Sequence, residues 1–120
     1  MSKTHENVTP GRRIIHTRTA PMGPYDYEGP VQPDMWSIDL SYDRTTRQGS
    51  YLLRMAPGTA TIPHEHPFCE EYIILEGEVI ESDGTVLKPG DYVIYEPGSH
   101  HNSRTETGCL VLGIDWTRRE

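Results

Sequence analysis

The sequence predicts an all-β sandwich or barrel, on three observations. Apolar residues recur in short runs with period two, turn residues bound each run, and no stretch of ten residues sustains a helical period of 3.6. The 10 prolines and 11 glycines among 120 residues also interrupt the chain too often for a helical bundle. This length suits one domain, able to bury roughly two thirds of the surface its unfolded chain exposes.

Residues 1–30 are polar and broken by Pro10, Pro21, Pro24 and Pro30, so they are expected to form an irregular N-terminal arm. Within them, Arg13-Ile14-Ile15-His16-Thr17 reads as an edge strand. The domain proper is expected over 31–120. Trp36, Ile38, Leu40 and Tyr42 alternate with polar residues, and Tyr51, Leu53 and Met55 form one face of the next run. Tyr72–Leu75 follows, continued by Val79 and Ile80. The runs Tyr92–Tyr95 and Leu110–Ile114 complete the series. Asp83-Gly84 suits a hairpin, and Pro57-Gly58 and Pro89-Gly90 suit tight turns.

The formal net charge of −7 argues against non-specific binding of nucleic acid. No apolar run approaches the ~18 residues of a membrane span. Met1–Glu6 carries no apolar stretch of the kind that begins a secretory signal, so a cytoplasmic location is expected. Two cysteines are too few for a disulfide framework, and both are expected as thiols. Cys109 lies in an apolar run and reads as core. Cys69 stands beside the most chemically loaded stretch.

Four of the six histidines fall in two groups, His64-Glu65-His66 and His100-His101. Two residues apart in a strand, His64 and His66 project to one face, where two neutral imidazoles make a metal clamp. A lone His-x-His is also an ordinary surface feature. Here a carboxylate follows at Glu70 or Glu71 and a second histidine pair lies beside turn residues. Glu70, Tyr72 and Ile74 share one strand face, and Glu71, Ile73 and Leu75 share the other. If the inner face carries the site, Glu70 is the ligand.

The run from Gly58 through His64, His66 and Glu70 to Gly77 resembles the first cupin motif, G-x5-H-x-H-x3,4-E-x6-G, with every fixed position filled. With Glu71 as the motif glutamate, the final glycine falls one place short. Gly90 to His101 resembles the second motif, G-x5-P-x-G-x2-H-x3-N. Gly90, Gly98 and His101 keep their spacing, while the proline is one place late at Pro97 and Thr105 stands where the motif has asparagine. Further similarity, in Leu53–Gly58, Glu96–His101 and Gly108-Cys109, points to the subgroup of zinc-binding anti-sigma factors and small diketone- or ring-cleaving dioxygenases.

The resemblance implies a cupin jelly-roll β-barrel with one divalent metal ion (Fe, Mn, Ni or Zn) held by His64, His66, Glu70 and His101. It implies a small metalloenzyme of the dioxygenase type, an oxidoreductase acting on an oxygen-chelating organic molecule. A non-catalytic metal or ligand sensor and a metal-assisted isomerase or lyase are the alternatives. For the last of these, Glu71, Tyr72 and His100 are the candidate proton carriers. Trp36, Tyr51, Met55, Tyr72 and Tyr92 are candidate walls of a ligand pocket, though each also suits plain core packing. Arg54 is a candidate carboxylate clamp or a solvated surface residue. The expected partners are a small-molecule ligand or substrate and a second copy of the chain. The homodimer is expected from the family, from the polar arm and from the need to cover sheet edges.

Overall fold

The computed structural model describes residues 5–6, 9–27, 29–65 and 67–117, with the backbone alone at His5, Glu6 and His64. Among them are thirteen strands and no helix: β1 (His5–Glu6), β2 (Ile14–Ile15), β3 (Gly23–Tyr25), β4 (Gln32–Asp39), β5 (Gly49–Met55), β6 (His64–Glu65), β7 (Cys69–Gly77), β8 (Val79–Glu81), β9 (Val86–Leu87), β10 (Tyr92–Tyr95), β11 (His100–His101), β12 (Ser103–Arg104) and β13 (Cys109–Trp116). The all-β expectation holds. Among the described residues no helix is long and apolar enough to cross a membrane.

A six-stranded antiparallel sheet in the order β10-β7-β13-β5-β4-β3 forms one wall. The shorter sheets β12-β8-β9 and β11-β6 contribute the other strands. The short strand read in the arm appears as β2, which pairs with β1 of the same chain, and β3 extends the large sheet into the arm segment. The β3–β4 register jumps between Pro24 and Tyr25, so Pro33 stands in the unpaired stretch of β4, where its missing N–H costs no ladder bond. The arm is tied to the end of β4 by Arg13, whose guanidinium donates to the Leu40 carbonyl at 2.6 Å.

Period two sends Met35, Tyr51, Leu53, Met55, Tyr72, Ile74, Cys109 and Val111 to the inner face, where they form one buried cluster with Tyr25 and Val79. The outer face is apolar as well. The row Ile38, Leu52, Leu112, Ile73 and Tyr92 crosses it from β4 to β10. Two candidate pocket walls belong outside: Trp36 is 36% and Tyr92 55% exposed. On β4 the inner phase is that of Met35 and Ser37, and Trp36 shares the outer phase with Ile38. Arg54 is also on the outer side, 3.6 Å from the Glu76 carboxylate, so it is a surface residue.

Gly58, Gly84 and Gly90 all take positive φ in their predicted turns. Gly77 differs, since it needs positive φ (75°) and a bare Cα together. A Cβ there would stand 1.9 Å from the Gly108 carbonyl oxygen, where β7 ends against the start of β13.

Candidate functional site

The polar centre of the barrel is His101, brought to the interior by β11 while its neighbour His100 turns to solvent. The His101 side chain is 5% exposed and lies between two carboxylates. Its Nδ1 is 2.7 Å from Glu81 Oε1, and its Nε2 is 3.3 Å from Glu70 Oε1. Tyr95 stacks on the imidazole at 4.1 Å between centroids and 20° between planes. Burial works against charging the ring, but the hydrogen bonds and charges of Glu70 and Glu81 outweigh it and raise the His101 pKa to about 9.

Glu81 accepts from four donors. Tyr72 Oη lies at 2.8 Å and Ser103 Oγ at 2.5 Å from Oε2, and Tyr95 Oη lies at 2.5 Å from Oε1, which His101 shares. Burial opposes its ionisation, yet the bonds from His101, Ser103, Tyr95 and Tyr72 bring the pKa down to about 2. The same contacts push both phenols up, chiefly through burial and then through the neighbouring Glu81 carboxylate.

Glu70 and Glu71 go to opposite faces of β7. Glu70 Oε2 accepts from Tyr51 Oη at 3.1 Å inside the barrel. Glu71 stays on the outer face, where Tyr92 Oη and Trp116 Nε1 each donate to it at 2.6 Å. His100 is exposed, with Nε2 3.4 Å from Glu65 Oε1. Of the three candidate proton carriers, only Tyr72 therefore reaches the interior, and its hydroxyl is committed to Glu81. Glu71 and His100 face away from the interior, because each is one place from an inward residue.

A cavity of about 40 Å³ lies among Glu70, His101, Tyr51, Tyr72 and Ser103. Glu70 separates it from a larger cavity of about 370 Å³ walled by Tyr27, Tyr42, Phe68 and Arg47, with Glu65 and Asp115 also at its edge. Arg47 sits in the 43–48 turn with φ 62° and lies 6.0 Å over the Phe68 ring. Tyr27 is held by a short hydrogen bond to Asp39, and Arg44 bridges Asp39 (2.9 Å) and Asp26 (2.7 Å). That brace fixes the wall of the larger cavity.

Of the four residues expected to hold a metal, the structure brings the Glu70 and His101 side chains together. The His64 backbone pairs directly with His101 across β6 and β11. His66 lies outside the described residues. Among the described residues no three His, Cys, Asp or Glu side chains gather around one point. The chemistry of Glu70 and His101 nevertheless fits a divalent ion: two ligands at ~2.1 Å in adjacent octahedral positions are ~3 Å apart, close to the spacing of Oε1 and Nε2.

Sequence reasoning missed Glu81 and Ser103. The polar turn Ser82-Asp83-Gly84 follows Glu81 and disguised it as a turn residue. Its position two residues after the buried Val79 was the available signal, since period two puts both on one face. Ser103 likewise follows His101 by two. Both cysteines are buried thiols outside any disulfide, and burial raises the Cys109 thiol to about 11.

Residues 27–116 match the family described as the ChrR cupin-like domain. No curated protein matches the chain. Among solved structures, a putative ethanolamine utilization protein Q from Salmonella typhimurium superposes with a TM-score of 0.75 at 20% identity, covering 98% of this chain and 96% of that one. The polyketide cyclase RemF from Streptomyces resistomycificus gives 0.71 at 19% identity, covering 87% and 78%. The anti-sigma factor ChrR, solved in complex with SigE of Rhodobacter sphaeroides, gives 0.59 at 20% identity, covering 68% of this chain and 45% of that one. At these identities the likeness is one of fold, and RmlC-like cupins are among the structures that share it.

Proposed function

The chain belongs to the ChrR cupin-like family, and from that premise we propose that it is a metal-binding cupin acting on a small organic molecule with chelating oxygen atoms. His64, His66, Glu70 and His101 would hold one divalent ion. The observation that carries this reading is the convergence of Glu70 Oε1 and His101 Nε2 on one cavity that adjoins a larger one at Glu70. Bound there, the ion supplies Lewis acidity and, where the metal is redox-active, access to O₂ chemistry. The chain supplies the rest. Tyr51 orients Glu70, Tyr95 and Glu81 hold the imidazole, and the aromatic wall of Tyr27, Tyr42 and Phe68 suits a planar ligand.

The test compares Glu70→Gln with Glu71→Gln in a chelator titration. Glu70→Gln keeps the shape and loses one charge, and it is expected to weaken metal binding by on the order of tenfold or more. Glu71→Gln is expected to leave affinity unchanged. The reverse order would move the centre to the other face of β7 and defeat the reading. Metal content with O₂ uptake on a diketone and catechol panel then separates a dioxygenase from a sensor. Stoichiometric zinc with no turnover favours the sensor, a reading consistent with the ChrR likeness.

A homodimer is the second part of the proposal. β7 and β13 carry apolar residues on both faces, a pattern of strands covered on both sides. Leu75, Tyr92, Ile94 and Ile114 are 43%, 55%, 57% and 37% exposed on the outer side. Together they expose on the order of 400 Å², the size of patch that marks an interaction site. A dimer needs about 800 Å² per partner, which leaves a polar rim to provide the remainder. Light scattering should give twice the 13.6 kDa chain mass. Ile94→Lys with Ile114→Lys should give the monomer. A monomeric wild type at micromolar concentration refutes this part.

A further inference from the structure

We propose that Glu81 is the positioning residue of the metal centre: it grips His101 through Nδ1 and thereby aims Nε2 at the cavity lined by Glu70. The inference rests on the metal-binding reading above and adds to it a residue outside the set of ligands.

Burying a carboxylate is expensive. An ion taken out of water costs several kcal/mol before its partners offset it, and an apolar residue of similar size often stabilises as well or better. Glu81 nevertheless stands in a strand whose other members, Val79 and Ile80, are buried hydrophobes, and its own side chain is 5% exposed. Barrel stability alone gives no reason for a carboxylate there. Its hydrogen bonds do.

An ionised carboxylate only accepts. Tyr72, Tyr95 and Ser103 each direct a hydroxyl at Glu81, so the fourth partner, His101 Nδ1, must donate as well. The proton on Nδ1 is therefore placed by Glu81. In an imidazole the other nitrogen lies on the far side of the ring, and here it points to Glu70. Tyr95 contributes twice, stacking on the ring and bonding the Glu81 oxygen that holds it. Plane and rotation of the imidazole are thus both set from behind. Each of these contacts belongs to a different strand: β7, β8, β10, β11 and β12 all supply a member. A partner of this kind raises the donor strength of a ligating imidazole and removes the entropy of its rotation.

Metal-free protein should be titrated with Co²⁺ against a chelator, as wild type, Glu81→Gln and Ile80→Ala. The wild type should take one Co²⁺ per chain. Glu81→Gln should bind at the same stoichiometry but about 10–100-fold more weakly. Ile80→Ala removes buried apolar volume from the same strand without touching His101, and it should lower thermal stability while changing affinity less than about threefold. Equal affinity in Glu81→Gln and wild type overturns the proposal. So does an Ile80→Ala loss as large as that of Glu81→Gln, which would mean that strand packing alone matters. Histidine side-chain NMR on the metal-free wild type gives a reading that does not depend on any variant folding. It should show a proton on His101 Nδ1, shifted downfield by a charged acceptor. An unprotonated Nδ1 overturns the assignment. A wild type that binds no Co²⁺ but keeps this proton defeats the metal reading itself, and the positioning role falls with it.

Discussion

Protein carrying His64→Ala and His66→Ala together is expected to retain no divalent metal through purification and dialysis, where the wild type retains one ion per chain. Two of four proposed ligands disappear, and the remaining Glu70 and His101 offer only a bidentate contact. The pairing of the His64 backbone with His101 puts the first of the two histidines at the centre of this test. Stability should fall only by the contribution of metal binding, because the buried cluster of Met35, Leu53, Ile74 and Val111 is built from other strands. Elemental analysis of both proteins, with circular dichroism as the check on folding, decides it. One equivalent of metal still bound to the folded double variant would refute the ligand set.

Gly77→Ala is expected to destabilise the barrel by about 3 kcal/mol or more, lowering Tm by on the order of 10 °C. Two costs coincide. Alanine at φ 75° is strained by roughly 1 kcal/mol or more. Its Cβ would also stand 1.9 Å from the Gly108 carbonyl oxygen, a backbone atom that no rotamer change can remove. The junction of β7 and β13 must open for the substitution to fit. By contrast, Gly84→Ala meets nothing within 4 Å and bears only the strain of positive φ (89°). Thermal melts of the two variants should therefore differ by more than the strain common to both. Equal melting temperatures would show that the close approach at Gly77 carries no weight.

Gly77 also shows what a motif residue means physically. In the sequence it is the last glycine of a spacing pattern, and in the barrel it is the point where two strands approach too closely for a side chain. Trp36 and Tyr92 illustrate the opposite case. Their alternation signalled strands correctly but not which face was inward, because the large sheet is apolar on both faces. With hydrophobes on each side of β4, β7 and β13, period two alone does not distinguish the core from a surface awaiting a partner. On β7 period two requires Glu70 and Glu71 to diverge but leaves the inner phase open, since Ile73 and Leu75 balance Tyr72 and Ile74; the motif spacing to Gly77 is what favours Glu70.

Several features of this protein are determined by sequence alone: the β class, the turns at Gly58, Gly84 and Gly90, the cupin motifs and the opposition of Glu70 to Glu71. All are local, carried by period-two alternation, by residues that tolerate positive φ or by fixed spacings along one stretch of chain. The grip on His101 is of another kind. Glu81 is 20 residues from His101, 9 from Tyr72, 14 from Tyr95 and 22 from Ser103. Period two links His101 to Ser103, but no spacing rule joins them to Glu81, Tyr72 and Tyr95, and only closure of the strands into a barrel makes all five neighbours. A carboxylate beside a turn looks like any solvated turn residue until the fold shows that water has been excluded and four donors have taken its place.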